Sequence, residues 1–122
     1  MVDALGNPVA FHLTGGQAHD LEGSDVFLPQ MQADALLADK AFDADKRVIE
    51  PLLAAGKTPV IPCTPSRSLK RAYDKVLYEE RHLIENFFCR LKQFRAIATR
   101  YDKRAASFLA GIYAAAIVIW LN

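Results

Sequence analysis

The chain has 122 residues, of which 52% are hydrophobic and 24% are charged. This composition excludes a disordered or fibrous protein and is typical of one globular domain at most. The net charge is +1, yet residues 1–60 carry four Lys/Arg and nine Asp/Glu, a net of −5, whereas residues 61–122 carry eleven and five, a net of +6. This asymmetry indicates that the C-terminal half meets an anionic partner.

Two cysteines and one long apolar segment define the expected compartment. Cys63 and Cys89 are too far apart for a zinc motif or a disulfide framework, which predicts a protein of the reducing cytoplasm. No charged region precedes an apolar run at the N-terminus, so no secretory signal is expected. The apolar segment 105–121 is shorter than the roughly 20 residues of a membrane-spanning helix, and we expect a buried helix and no membrane partner. Its packed side chains are expected to be Phe108, Ile112, Ile117 and Trp120.

The first third of the chain predicts a hairpin followed by a short helix. Val9, Phe11 and Leu13 alternate with less apolar residues, as in a half-buried strand. Residues 1–2 are then the end of its hairpin partner, across a turn rich in Gly, Asn and Pro. Residues 20–31 can form a short helix, which Pro29 limits.

Two further strands are predicted around a second helix. The continuous apolar run 35–38 predicts a central strand that is buried on both faces and ends at Asp39. Asp43 or Asp45 can cap the following helix, which Gly56 stops. A third strand is expected at 58–61. The apolar face of the intervening helix, which Pro51 is expected to kink, consists of Val48, Ile49, Leu52 and Leu53.

The remaining residues predict a basic linker at 66–75 and two helices at 77–98 and 104–121. The order of elements indicates an α/β fold with a mixed sheet. In open α/β sheets, sites form at the carboxyl ends of strands, and Asp39 occupies such a position. An Asp after a strand is nevertheless more often a turn or capping residue, so both interpretations of Asp39 stay open on these grounds.

The segment 78–92 is the most informative part of the chain. Four polar residues fall within an arc of about 60° on a helix with about 100° per residue: Tyr78, Arg81, Glu85 and Lys92. They border a broad apolar stripe, where a carboxylate can face a cleft while packing fixes its backbone. The alternative is an ordinary surface ion pair between Arg81 and Glu85. The helical pattern supports both equally.

The spacing of these four residues resembles the signature of bacterial insertion-sequence transposases of the DDE class, specifically of the IS-five family. Two upstream regions agree with it. The segments 3–8 and 13–20 resemble the second and third strands of that family, and Leu37-Ala-Asp-Lys-Ala-Phe-Asp43 resembles its segment around the second catalytic Asp. The resemblance covers nearly the whole chain.

The resemblance implies a ribonuclease-H-like fold in which two Asp and one Glu hold two divalent metal ions, Mg²⁺ or Mn²⁺, for DNA cleavage and strand transfer. Asp39 matches the second Asp and Glu85 matches the Glu, which makes both of them expected catalytic residues and metal ligands. Arg81 and Lys92 are expected to hold the DNA backbone. Tyr78 is expected to orient a phosphate or to stack near the strand end.

The chain departs from the family pattern at the first catalytic Asp, which lies on a strand before the hairpin. The chain begins at the hairpin, and Asp3 falls in the segment that resembles a turn. We therefore expect 1–122 to be part of a catalytic domain, from a truncated element or from a downstream frame. Its expected partners are DNA and an upstream-frame product or further transposase copies, and the chain alone is expected to be inactive.

The alternative is a catalytically inactive DNA-binding or pseudogene fragment of such a transposase. A basic surface could hold phosphates in a salt-dependent way without any cleavage. Its candidate residues are Arg67, Lys70, Arg71, Lys75, Arg90, Arg95, Arg100, Lys103 and Arg104. An ordinary solvated basic surface would have the same composition.

Overall fold

The computed structural model describes residues 1–15, 18–99 and 104–122. The chain forms two compact units. Met1–Leu13 and His82–Asn122 make up the terminal unit, and Thr14–Arg81 make up the central unit. Arg100 and Lys103, two of the candidate DNA contacts, lie outside the described residues.

The central unit contains a small parallel sheet flanked by helices. Its regular elements are α1 (Leu21–Phe27), β1 (Ala35–Leu37), α2 (Glu50–Ala54), β2 (Thr58–Val60) and α3 (Lys75–Glu79). Short 3₁₀ helices at Leu28–Gln30 and Lys40–Phe42 and a π-helical turn at Asp45–Ile49 connect them. β1 and β2 pair in parallel, with Ala35 opposite Thr58 and Leu37 opposite Val60, and the crossover runs through α2, as parallel pairing requires. The α/β class is thereby confirmed.

The expected mixed sheet is not found, because the sheet in the described part of the chain has two parallel strands. Instead of a strand over 9–13, the hairpin makes one isolated antiparallel bridge between Val2 and Pro8. Phe11 still packs into the apolar cluster of the terminal unit, with its ring 5.8 Å from that of Phe87. The alternating pattern therefore indicated packed side chains only at Phe11 and Leu13, since Val9 is exposed, and residues 9–13 lack the hydrogen-bonded ladder of a strand.

The core of the central unit consists of Met31, Val48, Ile49, Leu52 and Ile61. Gly56 ends α2 as predicted, with a left-handed φ of +72°, and the amide of Lys57 donates to the carbonyl of Leu52. Leu53 was wrongly predicted to share the apolar face, since it is exposed. The π-helical turn just before Pro51 rotates the following residues relative to a regular helix, and Leu53 turns outwards. β1 is only partly buried, so its predicted burial on both faces is also wrong.

The predicted helix over 77–98 is divided into three. α3 ends at Glu79, α4 spans His82–Leu91, and α5 spans Arg95–Ala98. At the first break, the amides of Glu80 and Arg81 each donate to a carbonyl three residues back, which tightens the last turn of α3. Glu79 and Glu80 also place negative charge at the carboxyl end of a helix, which the helix dipole disfavours.

The terminal unit is built on α4 and α6, the latter spanning Ala105–Leu121. Their shared core consists of Phe87, Leu91, Ile112, Ala115, Ala116 and Ile119. Phe108 packs against this cluster as expected, but Ile117 and Trp120 are exposed, which corrects the predicted packed face. The packed face of α6 carries Ile112, Ala115, Ala116 and Ile119, whereas Ile117 and Trp120 lie on its other side. Across the described ranges, no helix combines the length and apolar character of a membrane span.

Candidate functional site

Asp39 lies directly beyond β1 and begins a tight turn. Its Oδ1 accepts a hydrogen bond of 2.9 Å from the amide of Ala41, so the side chain caps the 3₁₀ helix Lys40–Phe42. The capping interpretation of Asp39 is confirmed. Within the described ranges, Oδ2 accepts no hydrogen bond, and the residue is only partly buried. One carboxylate oxygen therefore fixes the orientation of the side chain.

Asp43, at the other end of this turn, is the most strongly bonded carboxylate in the described residues. Its side chain has 0% exposure. Oδ2 accepts from the amide of Thr64 at 2.7 Å and from Nε of Arg67 at 3.0 Å. Oδ1 accepts from Nη2 of Arg67 at 2.9 Å and from both terminal nitrogens of Arg71 at 3.1 Å. The expectation that Asp43 or Asp45 caps the next helix is wrong, because Ala44 holds that position and no side chain caps it.

The interactions in this network favour the ionised forms of its carboxylate and guanidinium groups. Burial alone raises the pKa of Asp43, but the hydrogen bonds from Thr64, Arg67 and Arg71 outweigh it and lower the pKa to about 2. A hydrogen bond from Arg67 also lowers the pKa of Asp45. The same bonds, first to Asp45 and then to Asp43, raise the pKa of the Arg67 guanidinium.

Several cations that the sequence offered for DNA are used inside the protein. Arg67 and Arg71 are mostly buried and bonded to Asp43. The ammonium group of Lys70 donates to the carbonyl of Thr64 at 2.7 Å. In the terminal unit, Arg90 donates from Nη2 to the carbonyl of Ile119 at 2.9 Å. Lys75, Arg95 and Arg104 are exposed.

Charge asymmetry was the one sequence signal that could have revealed this network. The acidic half of the chain supplies Asp43 and Asp45, and the basic half supplies Arg67 and Arg71. Part of the expected anionic partner of the C-terminal half is therefore the N-terminal half of the same chain.

Glu85 and Lys92 belong to the terminal unit. Glu85 is exposed and lies in the first turn of α4, where the helix dipole favours a negative charge. Lys92 follows α4, and its amide still donates to the carbonyl of Phe88 at 3.0 Å, as in a continuing helix. Seven residues are about two helical turns, so Glu85 and Lys92 share a face. The buried side chains of Phe87 and Leu91 anchor this helix.

Tyr78 and Arg81 belong to the central unit, on α3 and in the turn that follows it. The guanidinium carbon of Arg81 lies 5.7 Å from the centre of the Tyr78 ring, within cation–π range. Tyr73 meets the same ring edge-on at 5.6 Å. Because α3 ends at Glu79, the single helical face predicted for all four signature residues is wrong. The structure brings Tyr78 together with Arg81, and it places Glu85 with Lys92.

The candidate acidic residues have the donor atoms that a hard divalent cation prefers. Asp39 and Glu85 each offer carboxylate oxygen, the donor that Mg²⁺ prefers. No group of three or more His, Cys, Asp or Glu side chains suited to a metal ion occurs among the residues that the structure describes. Asp3, the acid nearest the N-terminus, uses Oδ1 to accept from the amides of Leu5 and Asn7, both at 2.9 Å. It is a turn residue, as its sequence context predicts.

Residues 1–121 match the family described as the Transposase DDE domain. The chain is 36% identical over 125 residues to a Brucella ovis protein named as a transposase for insertion sequence element IS6501. That match covers 100% of the chain and 95% of the Brucella protein. No solved structure matches the chain. The chain belongs to the DDE transposase family.

Proposed function

We propose that this chain supplies two metal-ligating carboxylates and several DNA contacts to a transposase of the IS-five family with a ribonuclease-H-like fold. The proposed substrate is insertion-sequence DNA, which is cleaved and joined to a target. The observation that carries the proposal is the geometry of Asp39. One of its carboxylate oxygens is fixed by the amide of Ala41, at the carboxyl end of a parallel strand, and the other accepts no hydrogen bond from the described residues.

This geometry suits a metal ligand, because a ligand must be held in place without using all of its donor atoms. The amide of Ala41 restricts the rotation of the Asp39 side chain, and Oδ2 can then accept a cation. Glu85 offers an exposed carboxylate on a helix that Phe87 and Leu91 anchor. A divalent cation, Mg²⁺ or Mn²⁺, held by these carboxylates would supply activation of the attacking water or 3′-hydroxyl and stabilisation of the leaving oxygen of the phosphodiester.

The number of carboxylates limits what the chain does alone. A site for two metal ions needs about three protein carboxylates, and Asp39 and Glu85 are the two at positions that match the family signature. We propose that a third comes from another polypeptide segment, carried by an upstream-frame product or a further transposase copy. The isolated chain is then inactive in DNA cleavage.

The DNA contacts are assigned to three residues by the same signature. Arg81 offers a planar cation, and its stacking on Tyr78 restricts its orientation. Lys92 is exposed and offers a mobile point charge to a phosphate. The alternative, a fragment that binds DNA without any metal dependence, has weaker support, because Arg67, Lys70, Arg71 and Arg90 are used internally.

The test uses labelled element-end DNA with Mg²⁺ or Mn²⁺. We expect no nicking by the chain alone. We expect cleavage by a restored protein, in which a strand that carries the third carboxylate, an Asp, is joined to the chain. In the restored protein, Asp39→Asn and Glu85→Gln should abolish cleavage and leave DNA affinity nearly unchanged. Cleavage by the 122-residue chain that is lost on Asp3→Asn would contradict this ligand count.

The DNA contacts are tested by salt titration of affinity in the same protein. Lys92→Ala should reduce the slope of log affinity against log salt by about 1, since each phosphate contact releases about one counterion. Lys46→Ala is the matched control, because Lys46 is an exposed lysine outside the signature. Equal slopes for the two variants would remove Lys92 from the DNA contacts.

A further inference from the structure

The turn that presents Asp39 is fixed at both of its ends. At its start, Asp39 accepts from the amide of Ala41. At its end, the amide of Asp43 donates to the carbonyl of Lys40 at 3.2 Å, and the carboxylate of Asp43 is held by Thr64, Arg67 and Arg71. Three residues of 3₁₀ helix lie between the two carboxylates. A displacement of Asp43 is therefore transmitted to Asp39 over a single turn.

The partners of Asp43 all come from the segment that follows β2. Thr64 donates from its backbone, and Arg71 also donates from Nη2 to the carbonyl of Ile61 at 3.0 Å. The amide of Arg71 in turn donates to Sγ of Cys63 at 3.1 Å. The network thus joins the segments that leave the carboxyl ends of the two parallel strands. β1 has only three residues, so the segment beyond it is held by this network and by the packing of Ala38 and Phe42 against the core.

Arg67 extends the network to the start of the next helix. Besides Asp43, it bonds both oxygens of Asp45, from Nη1 at 3.1 Å and from Nη2 at 2.7 Å. Asp43 and Asp45 flank Ala44, the residue directly before the π-helical turn. One guanidinium group therefore holds the whole passage from the Asp39 turn into the π-helical turn.

Stability alone does not explain such an arrangement. A buried charged group is costly to desolvate, and apolar residues of similar size often stabilise a protein as well or better. What the ion pairs add is a fixed direction, because bidentate guanidinium–carboxylate bonds restrict geometry. We propose that Asp43, Arg67 and Arg71 are positioning residues that hold the carboxylate of Asp39 in place. This inference rests on the proposed function of Asp39 as a metal ligand.

The experiment measures amide hydrogen exchange by NMR on the full chain. The reporter is the amide of Ala41, because it is bonded to Asp39. Asp43→Asn and Arg71→Gln should each accelerate its exchange at least tenfold relative to the unmodified chain. Arg71→Gln leaves the ion pair between Arg67 and Asp43 in place, so it provides a result even where Asp43→Asn fails to fold.

Two controls separate positioning from general destabilisation. Asp25→Asn removes another Asp–Arg pair of the same unit, the exposed pair with Arg47. Leu52→Val weakens the buried core of the unit, against which Phe42 of the turn packs, but removes no group of the hydrogen-bonded network. Neither variant should selectively accelerate hydrogen exchange of the Ala41 amide. Exchange that accelerates equally in Leu52→Val and Asp43→Asn would overturn the proposal, as would unchanged exchange in Asp43→Asn and Arg71→Gln.

A second readout on the same samples separates this inference from the proposed function. Mn²⁺ added alone should broaden the amide signals of Lys40 and Ala41, and Asp39→Asn should remove the effect. Broadening that survives Asp39→Asn would overturn the metal-binding role of Asp39, and with it the purpose of the network. Broadening that depends on Asp39, with Ala41 exchange unaffected by Asp43→Asn and Arg71→Gln, would overturn the positioning role alone.

Discussion

The two signature carboxylates are held by different forces. Asp39 follows a three-residue strand and is fixed by polar bonds, its own to Ala41 and those of Asp43 one turn away. Glu85 lies on a ten-residue helix whose position is set by the burial of Phe87 and Leu91. Polar bonds therefore set the direction of the first carboxylate, and apolar packing sets the position of the second. The two should respond differently to pH, salt and loss of side-chain volume.

The cause of this difference lies in the local sequence. A helix with an apolar stripe fixes every residue on its border, because burial of the stripe sets its rotation. A residue beyond a short strand has less of this support. Ala38 and Phe42 pack against the core on either side of Asp39, but the direction of the Asp39 side chain depends on bonds from its own carboxylate and from neighbouring segments. The charged network after β1 provides them.

The largest expected effect is the loss of the apolar support of Glu85. Phe87 is 3% exposed, and Phe87→Ala should lower the free energy of unfolding by about 3–5 kcal/mol, because it leaves a cavity in the core. Phe88→Ala is the matched control, since the adjacent ring is 48% exposed and its loss should cost much less. Urea unfolding followed by circular dichroism gives both values. Equal costs would contradict the packing of α4 described above.

The second effect is the loss of the Asp43 contribution to stability at low pH. The folded-state pKa of Asp43 is lowered from 3.8 to about 2, so its contribution to stability is complete above the unfolded pKa and is lost as the pH falls from about 4 to about 2. Asp43→Asn should be less stable at neutral pH, and the deficit relative to the unmodified chain should shrink over this range. Urea midpoints of both proteins at several pH values measure it. A deficit that stays constant with pH would exclude ionised Asp43 as its source.

Local pattern predicted much of the fold. Apolar runs located β1 and β2 to within one residue, Gly56 stopped α2, and the terminal helix begins and ends within one residue of its predicted bounds. The prediction of a single helix over 77–98 was wrong. The apolar stripe continues along the sequence, but the hydrogen bonds of a continuous helical backbone are interrupted at two points. Periodicity reports which face is buried, and it says little about whether the backbone is continuous.

The candidate site was predictable only in part. Asp39 was identified from its place after a strand and from the family signature. Asp43 was missed because its partners Arg67 and Arg71 lie 24 and 28 residues away, beyond the reach of any helical or strand period. Pairings at such separations depend on how the strands are joined, which the sequence pattern does not specify.

A smaller effect tests the cap formed by Asp39. Asp39→Ala removes the acceptor for the amide of Ala41 and should cost about 1 kcal/mol of folding free energy. Asp39→Asn retains an oxygen acceptor and should cost only a few tenths of that amount. Thermal or urea unfolding separates the two variants. If both lost equal stability, the charge of Asp39, and not its capping bond, would be what holds the turn.

The smallest effect comes from the exposed ion pair between Asp25 and Arg47. Its atoms approach to 2.6 Å, but the side chains are 55% and 43% exposed, so solvent weakens the attraction. Asp25→Asn should shift the urea midpoint less than Asp39→Ala does, and the shift should vanish at about 1 M salt, where the screening length is about 3 Å. The deficit of Asp43→Asn should persist at that salt concentration, because a buried pair is screened much less. If the Asp43→Asn deficit also vanished in salt, solvent would reach the network, and its bonds would be too weak to fix the direction of Asp39.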